Sequence, residues 1–263
     1  MTTTTTIACS IRHERAVPGG RKVALDFTVG DETVPGALLV PSARSQGNGA
    51  GAGVSTATRV PAVLLLHGYT SRKERMVETA GHALLRRGVA SLAIDLPLHG
   101  ERHVPVTSHA LDRSLDLIRR WQAALEECAF ALRYLTSRPE VNPSALGVVG
   151  YSMGAYVGLI VAAREPAVRA VVLAAGGDLP TGSTGMRVIR AVVDPVAAVQ
   201  KLAGRPLLMV HGRQDRTVRP DQAERLFEAA AEPKELRWYD SGHYLPNTAI
   251  EDAALWLAEK LNG

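Results

Sequence analysis

The sequence predicts an α/β fold in one domain, a mostly parallel, twisted sheet with an N-terminal antiparallel hairpin and helices on both faces. Three observations carry this. Short apolar runs recur along the chain, at 62–66, 89–94, 145–149 and 168–174 among others, and continuous apolar runs are what strands of a parallel sheet look like when both faces are covered. Amphipathic stretches long enough for helices separate them, as crossovers between parallel strands require. Finally, 263 residues with 46% hydrophobic content can bury a sizeable core and suit one domain, 1–263, better than two.

Taken in order, residues 23–29 alternate apolar and polar side chains, and 35–40 follow after Gly30-Asp31-Glu32. That pair reads as a hairpin. Residues 42–59 carry mostly Gly, Ala, Ser and Thr, and are expected to form a flexible loop inside the domain, because strand patterning continues on either side. The run 62–66 is the first buried parallel strand, and 72–87 the first crossover helix, closed by Gly88 as a C-terminal stop. A strand at 89–94, a long amphipathic helix at 111–135 and a strand at 145–149 follow. Strands at 168–174, 206–210 and 235–239 complete the sheet, with helices near 196–202 and 222–231 between them and a final helix over 248–261.

Composition excludes several classes of function. The net charge of +4 is modest, and its basic residues are interleaved with Asp and Glu, so there is no basic stripe for nucleic acid. Cys9 and Cys128 lie far apart without a C-x-x-C partner, which argues against a metal knuckle or redox pair; both are expected to be reduced. Met1 is followed by five threonines, not by a basic segment and an apolar core, so no secretory signal is read there. No apolar run approaches the roughly 18 residues of a membrane span. A soluble cytoplasmic protein, monomer or homodimer, without cofactor or metal, is the expectation.

The chemistry centres on Gly150-Tyr151-Ser152-Met153-Gly154, between the apolar run 145–149 and the helix-like stretch 155–164. A strand, a sharp turn and a helix with serine at the apex push the hydroxyl out above the sheet edge, while the glycines let strand and helix approach. A serine hydroxyl needs a base, an orienting acid and donors for a developing oxyanion. In α/β sheets such groups collect at the carboxyl ends of strands. The strand 206–210 runs into His211-Gly212-Arg213-Gln214-Asp215, and 235–239 into Asp240-Ser241-Gly242-His243, giving the chain order serine, acid, histidine. His67-Gly68-Tyr69 after 62–66 offers the backbone NH of Tyr69 as one oxyanion donor, and the NH of Met153 at the helix start is the second.

With these residues in place, together with the loop Asp95-Leu96-Pro97-Leu98-His99-Gly100-Glu101-Arg102, the chain resembles an α/β-hydrolase. Within that superfamily it is similar to small dienelactone-hydrolase-like proteins and serine esterases. The resemblance spans the chain from about Val60 onward. It implies that Ser152 is the nucleophile, His243 the general base and then acid, and Asp215 the orienting carboxylate, and that the substrate is a small-molecule carboxylic ester. Dienelactone hydrolase itself has cysteine at the elbow; serine here points to ordinary esters.

Competing assignments are open at several positions. Asp178 follows the strand 168–174, where some members of the fold place the acid, although the Asp215 loop is favoured. His67 and His211 precede glycines at strand ends and are expected to hold loops; His99 and His103 lack a third metal ligand. Asp95 is expected to anchor its loop through His99 or Arg102, and Arg113, Arg119 and Arg120 to form a solvated face. The segment 176–199 is short for a lid, which suggests an open pocket and small or short-chain acyl groups; 102–111 is another possible cover. Met186, Tyr244 and Leu245 are pocket candidates, whereas Trp121 fits the core at least as well. A deacetylase or feruloyl-type esterase, an oligopeptidase-like peptidase lacking the usual N-terminal domain, and a catalytically dead binding module are the alternatives.

Overall fold

The computed structural model describes residues 8–42, 59–102, 110–181 and 189–263, with only the helical backbone over 110–117. Most of the segment expected to be a flexible loop, together with Met186 and His103, lies outside the described residues. Among the described residues the sheet has nine strands, in the order β1-β2-β3-β5-β4-β6-β7-β8-β9. Its N-terminal part is antiparallel: β1 (Cys9–Val17) pairs with β2 (Gly20–Val29), β2 with β3 (Glu32–Pro41), and β3 with β5 (Ala90–Ile94). The remaining pairings, through β4 (Val60–Leu66), β6 (Val141–Tyr151), β7 (Val168–Ala174), β8 (Leu207–Gly212) and β9 (Lys234–Tyr239), are parallel. Parallel pairing aligns the carboxyl ends of these strands on one edge, and that edge carries the candidate site.

One strand carries no mark in the sequence pattern. β1 is exposed along nearly its whole length, so it lacks the apolar alternation by which half-buried strands are recognised. It is held by its ladder to β2, which extends the expected hairpin to three strands.

Helices cover both faces. On one lie α3 (Ala110–Ser137), α4 (Met153–Arg164), α5 (Pro195–Gln200) and α6 (Pro220–Ala229), packed around Phe27, Phe130, Leu132 and Leu159. Trp121 packs against this core. On the other lie α1 (Lys73–Met76), α2 (His82–Leu85) and α7 (Asn247–Asn262), over Val63, Leu65, Val172 and Leu208. The continuous helix expected over 72–87 is instead interrupted by a π turn at Val77–Gly81, between α1 and α2. A π turn keeps the helical direction and the apolar face, so periodicity does not reveal it.

The loop after β5 is anchored differently from expectation. Asp95 Oδ1 accepts the Lys73 backbone N–H at 2.8 Å, and Oδ2 accepts Lys73 Nζ at 2.8 Å and the Glu101 N–H at 3.1 Å. His99 turns instead to the carbonyl of Pro97, and Arg102 reaches only the backbone oxygen of Asp95. Arg12 and Lys73 also grip Glu101 and hold its carboxyl down at about 2, with the Arg12 hydrogen bond foremost. Arg102 makes a two-pronged contact with buried Glu127 of α3, at 2.7 and 2.9 Å. These ion pairs fix the residues leading into 103–109 to the strand layer and to α3.

Candidate active site

Ser152 sits between β6 and α4 with φ at 51°, in the left-handed region that a non-glycine residue enters only where surrounding contacts hold it. The flanking glycines explain how. A Cβ on Gly154 would lie 2.2 Å from the Leu66 carbonyl oxygen, and one on Gly150 would lie 2.2 Å from the Gly154 carbonyl oxygen. Only bare backbone fits at either position. Ser152 N–H donates to the Ala174 carbonyl at 2.8 Å, which ties the elbow to β7. Serine at a helix N-cap usually spends its hydroxyl on the first-turn N–H groups. Here it makes no such bond, and Oγ lies 2.9 Å from His243 Nε2.

His243 is reached by a close approach of two loops. A Cβ on Gly212 would lie 2.2 Å from the Gly242 carbonyl oxygen, so glycine at the end of β8 lets the loop after β9 lie against the loop carrying Asp215. His243 Nδ1 is 2.8 Å from Asp215 Oδ2. Asp215 is 2% exposed, and its Oδ1 accepts the N–H groups of Thr217 and Val218 at 2.8 and 3.1 Å. An ionised carboxylate only accepts, so Nδ1 carries the proton and Nε2 presents its lone pair to the serine hydroxyl. The structure thus brings Ser152, His243 and Asp215 into one hydrogen-bonded line.

Asp178, the competing acid, is turned away from it. Its Oδ1 accepts Arg190 at 2.7 Å and the Leu179 N–H at 2.8 Å, and its Oδ2 faces Arg225 at 3.4 Å. The two other buried histidines at strand ends hold loops. His67 Nε2 accepts the Leu96 N–H at 3.1 Å, so Nδ1 is the protonated nitrogen and donates to the Gly68 carbonyl at 2.8 Å. Burial lowers the His67 pKa and keeps the ring neutral. His211 Nε2 lies 2.8 Å from the Val218 carbonyl, which braces the acid loop.

Tyr69 and Met153 flank the serine. A Cβ on Gly68 would be 3.4 Å from Ser152 Cβ, so the start of the loop after β4 lies against the elbow and carries Tyr69 beside it. Met153 opens α4, and the first N–H groups of a helix have no intrahelical acceptor. Tyr69 and Tyr244 are largely exposed and, with Leu245, line the cavity that opens at Ser152 and His243.

One further residue holds the site together without being marked by the sequence pattern. Tyr151, within the elbow, donates its hydroxyl to the His243 carbonyl at 2.6 Å and accepts the Leu245 N–H at 3.0 Å. Burial, first, raises its pKa, so the phenol remains a donor. It clamps the backbone on both sides of Tyr244 and so ties the histidine loop to the elbow. The signal in the sequence was slight: any residue is allowed at that position of a G-x-S-x-G turn. Among the described residues, no group of three or more His, Cys, Asp or Glu is arranged to hold a metal ion, and no helix is long and apolar enough to cross a membrane.

Comparison with known proteins agrees with this architecture. Esterase YjfP of Escherichia coli (strain K12) is 27% identical over 197 residues, covering 66% of this chain and 76% of that protein. A cold-adapted esterase from an Arctic intertidal metagenomic library superposes with a TM-score of 0.71 at 23% identity, over 95% of this chain and 98% of that one. Acetyl xylan esterase 1 from Thermoanaerobacterium sp. JW/SL YS485 gives a TM-score of 0.73 at 19% identity, over 96% and 87%. At such identities the superpositions speak for a shared α/β-hydrolase fold. The serine hydrolase (FSH1) family matches residues 99–254, a stretch that contains Ser152, Asp215 and His243. The chain, with its α/β-hydrolase fold, belongs to the serine hydrolase (FSH1) family.

Proposed function

We propose that this serine hydrolase cleaves carboxylic esters through an acyl-enzyme. The observation that carries the reading is the hydrogen-bonded line from Ser152 Oγ through the His243 ring to Asp215 Oδ2. In the first step Ser152 Oγ attacks the ester carbonyl while His243 Nε2 takes its proton. The N–H groups of Tyr69 and Met153 receive the oxyanion, and the alcohol leaves with the proton from His243. Water, deprotonated by the same nitrogen, then releases the acid. Asp215 holds the imidazole in the tautomer that this exchange needs and stabilises the imidazolium between steps.

Support comes from the family and from the esterase YjfP of Escherichia coli as a relative. Turnover of p-nitrophenyl acetate tests the reading and separates it from a catalytically dead binding module. Ser152→Ala should lower kcat on the order of a millionfold, and a serine-directed phosphonate should label Ser152 alone. A variant that kept even a small percentage of wild-type turnover would overturn the assignment. Sugar acetates, hydroxycinnamate esters and a short peptide amide in the same panel separate the narrower esterase activities and peptidase activity from simple ester hydrolysis.

A further inference from the structure

The cavity at Ser152 does not stop at the sheet edge. It continues from Ser152 and His243 toward the face of the sheet covered by α1, α2 and α7, where Val149 and Ala174 keep a little exposed surface while Val172 and Val210 are sealed. Its volume, mouth included, is about 1030 Å³. Pockets for small ligands run to roughly 300–1,000 Å³, whereas packed interiors hold few voids larger than a water molecule. That volume includes the open mouth beside Tyr69 and Tyr244, so the part behind the nucleophile is narrower, and its lining keeps little exposed surface.

Alanines make the room. Ala80 in the π turn, Ala174 on β7, and Ala253 and Ala254 on α7 line the crevice where longer side chains would close it. The π turn is an independent sign, since such turns inside helices concentrate at functional sites. The charged lining residues Arg72, Arg75 and Glu78 lie on the exposed side of the helical stretch, whereas the walls between sheet and helices are aliphatic. An acetyl group would occupy only the mouth. An aliphatic chain entering this narrow apolar end would gain by the removal of its own apolar surface from solvent.

We infer that this crevice is the acyl-chain site and that the enzyme acts on esters of medium-length, unbranched fatty acids, with the alcohol at the open side beside Tyr69 and Tyr244. The inference rests on the reading of Ser152 as nucleophile. It departs from the short-chain expectation, which follows from the length of the 176–199 segment and not from the space beside the serine.

The test is an acyl series of p-nitrophenyl esters, acetate, butanoate, octanoate and dodecanoate, with two variants that fill the crevice from opposite walls, Ala80→Val and Ala253→Leu. In the wild type, kcat/KM should climb by roughly fourfold for each methylene that enters the crevice, through octanoate. In either variant the octanoate-to-acetate ratio should fall by at least about tenfold. Inactivation of the unaltered enzyme by octyl- against ethylphosphonate p-nitrophenyl esters gives the same comparison should a variant fail to fold, and the octyl reagent should react faster. A wild-type rate that falls steadily from acetate onward, equal inactivation by the two phosphonates, or an unchanged ratio in folded variants overturns the acyl site while leaving ester hydrolysis intact. Absence of any ester turnover and of any Ser152 labelling overturns both.

Discussion

Two buried aspartates follow neighbouring strands and differ in one respect. Asp178, after β7, is 4% exposed and Asp215, after β8, is 2% exposed. Both Asp178 oxygens face arginines: Arg190 at 2.7 Å on one and Arg225 at 3.4 Å on the other, with the Leu179 N–H adding a bond to the first. Asp215 satisfies one oxygen with two backbone N–H groups and offers the other to His243. Burial and position at the sheet edge are shared, so neither decides which carboxylate meets the histidine. What differs is the group that the second oxygen meets, and a neutral ring with a movable proton is chemically different from a guanidinium that never gives one up.

The largest effect separating the two should come from Asp215→Asn. The amide would present a donor to Nδ1 and favour the wrong tautomer, and kcat should drop on the order of ten-thousandfold with the fold retained, as measured with p-nitrophenyl acetate and circular dichroism. If Asp178→Asn produced that loss and Asp215→Asn did not, the comparison would be inverted. Tyr151→Phe should be next. It removes the hydroxyl that bonds the His243 carbonyl and the Leu245 N–H, and loosening a base by a fraction of an ångström costs roughly ten- to a hundredfold. The loss should fall on kcat more than on KM, and an equal change in both would make Tyr151 a binding residue instead. Asp178→Asn should be mildest for turnover, within about threefold, while lowering stability by roughly 1–3 kcal/mol through two weakened arginine contacts at a buried carboxyl. Denaturant unfolding measures it, and an unchanged midpoint would show that the arginines do not depend on the charge.

Buried and exposed elements differ in how far the sequence pattern marks them. Strand positions from β4 onward were legible because continuous apolar runs and helical periodicity follow from burial, and burial is a property of local sequence. The exposed strand β1 and the π turn at Val77–Gly81 were not, since one carries no apolar alternation and the other leaves the apolar face unbroken. At the site, the elbow and the order Ser152, Asp215, His243 could be read from strand ends. The Lys73–Asp95 pair could not, because the two residues lie on different elements and nothing in their spacing marks them as partners.

Periodicity and motif order alone determined the α/β class, the edge at which chemistry collects and the three side chains to be sought there. These depend on short-range pattern and on the direction of parallel strands. Only the tertiary structure decided that Asp215 and not Asp178 meets the histidine, that Tyr151 ties the His243 loop to the elbow, and that alanines from three separate elements line the cavity that opens at Ser152. Each depends on atoms distant in the chain coming within a few ångströms, and such distances are set by packing.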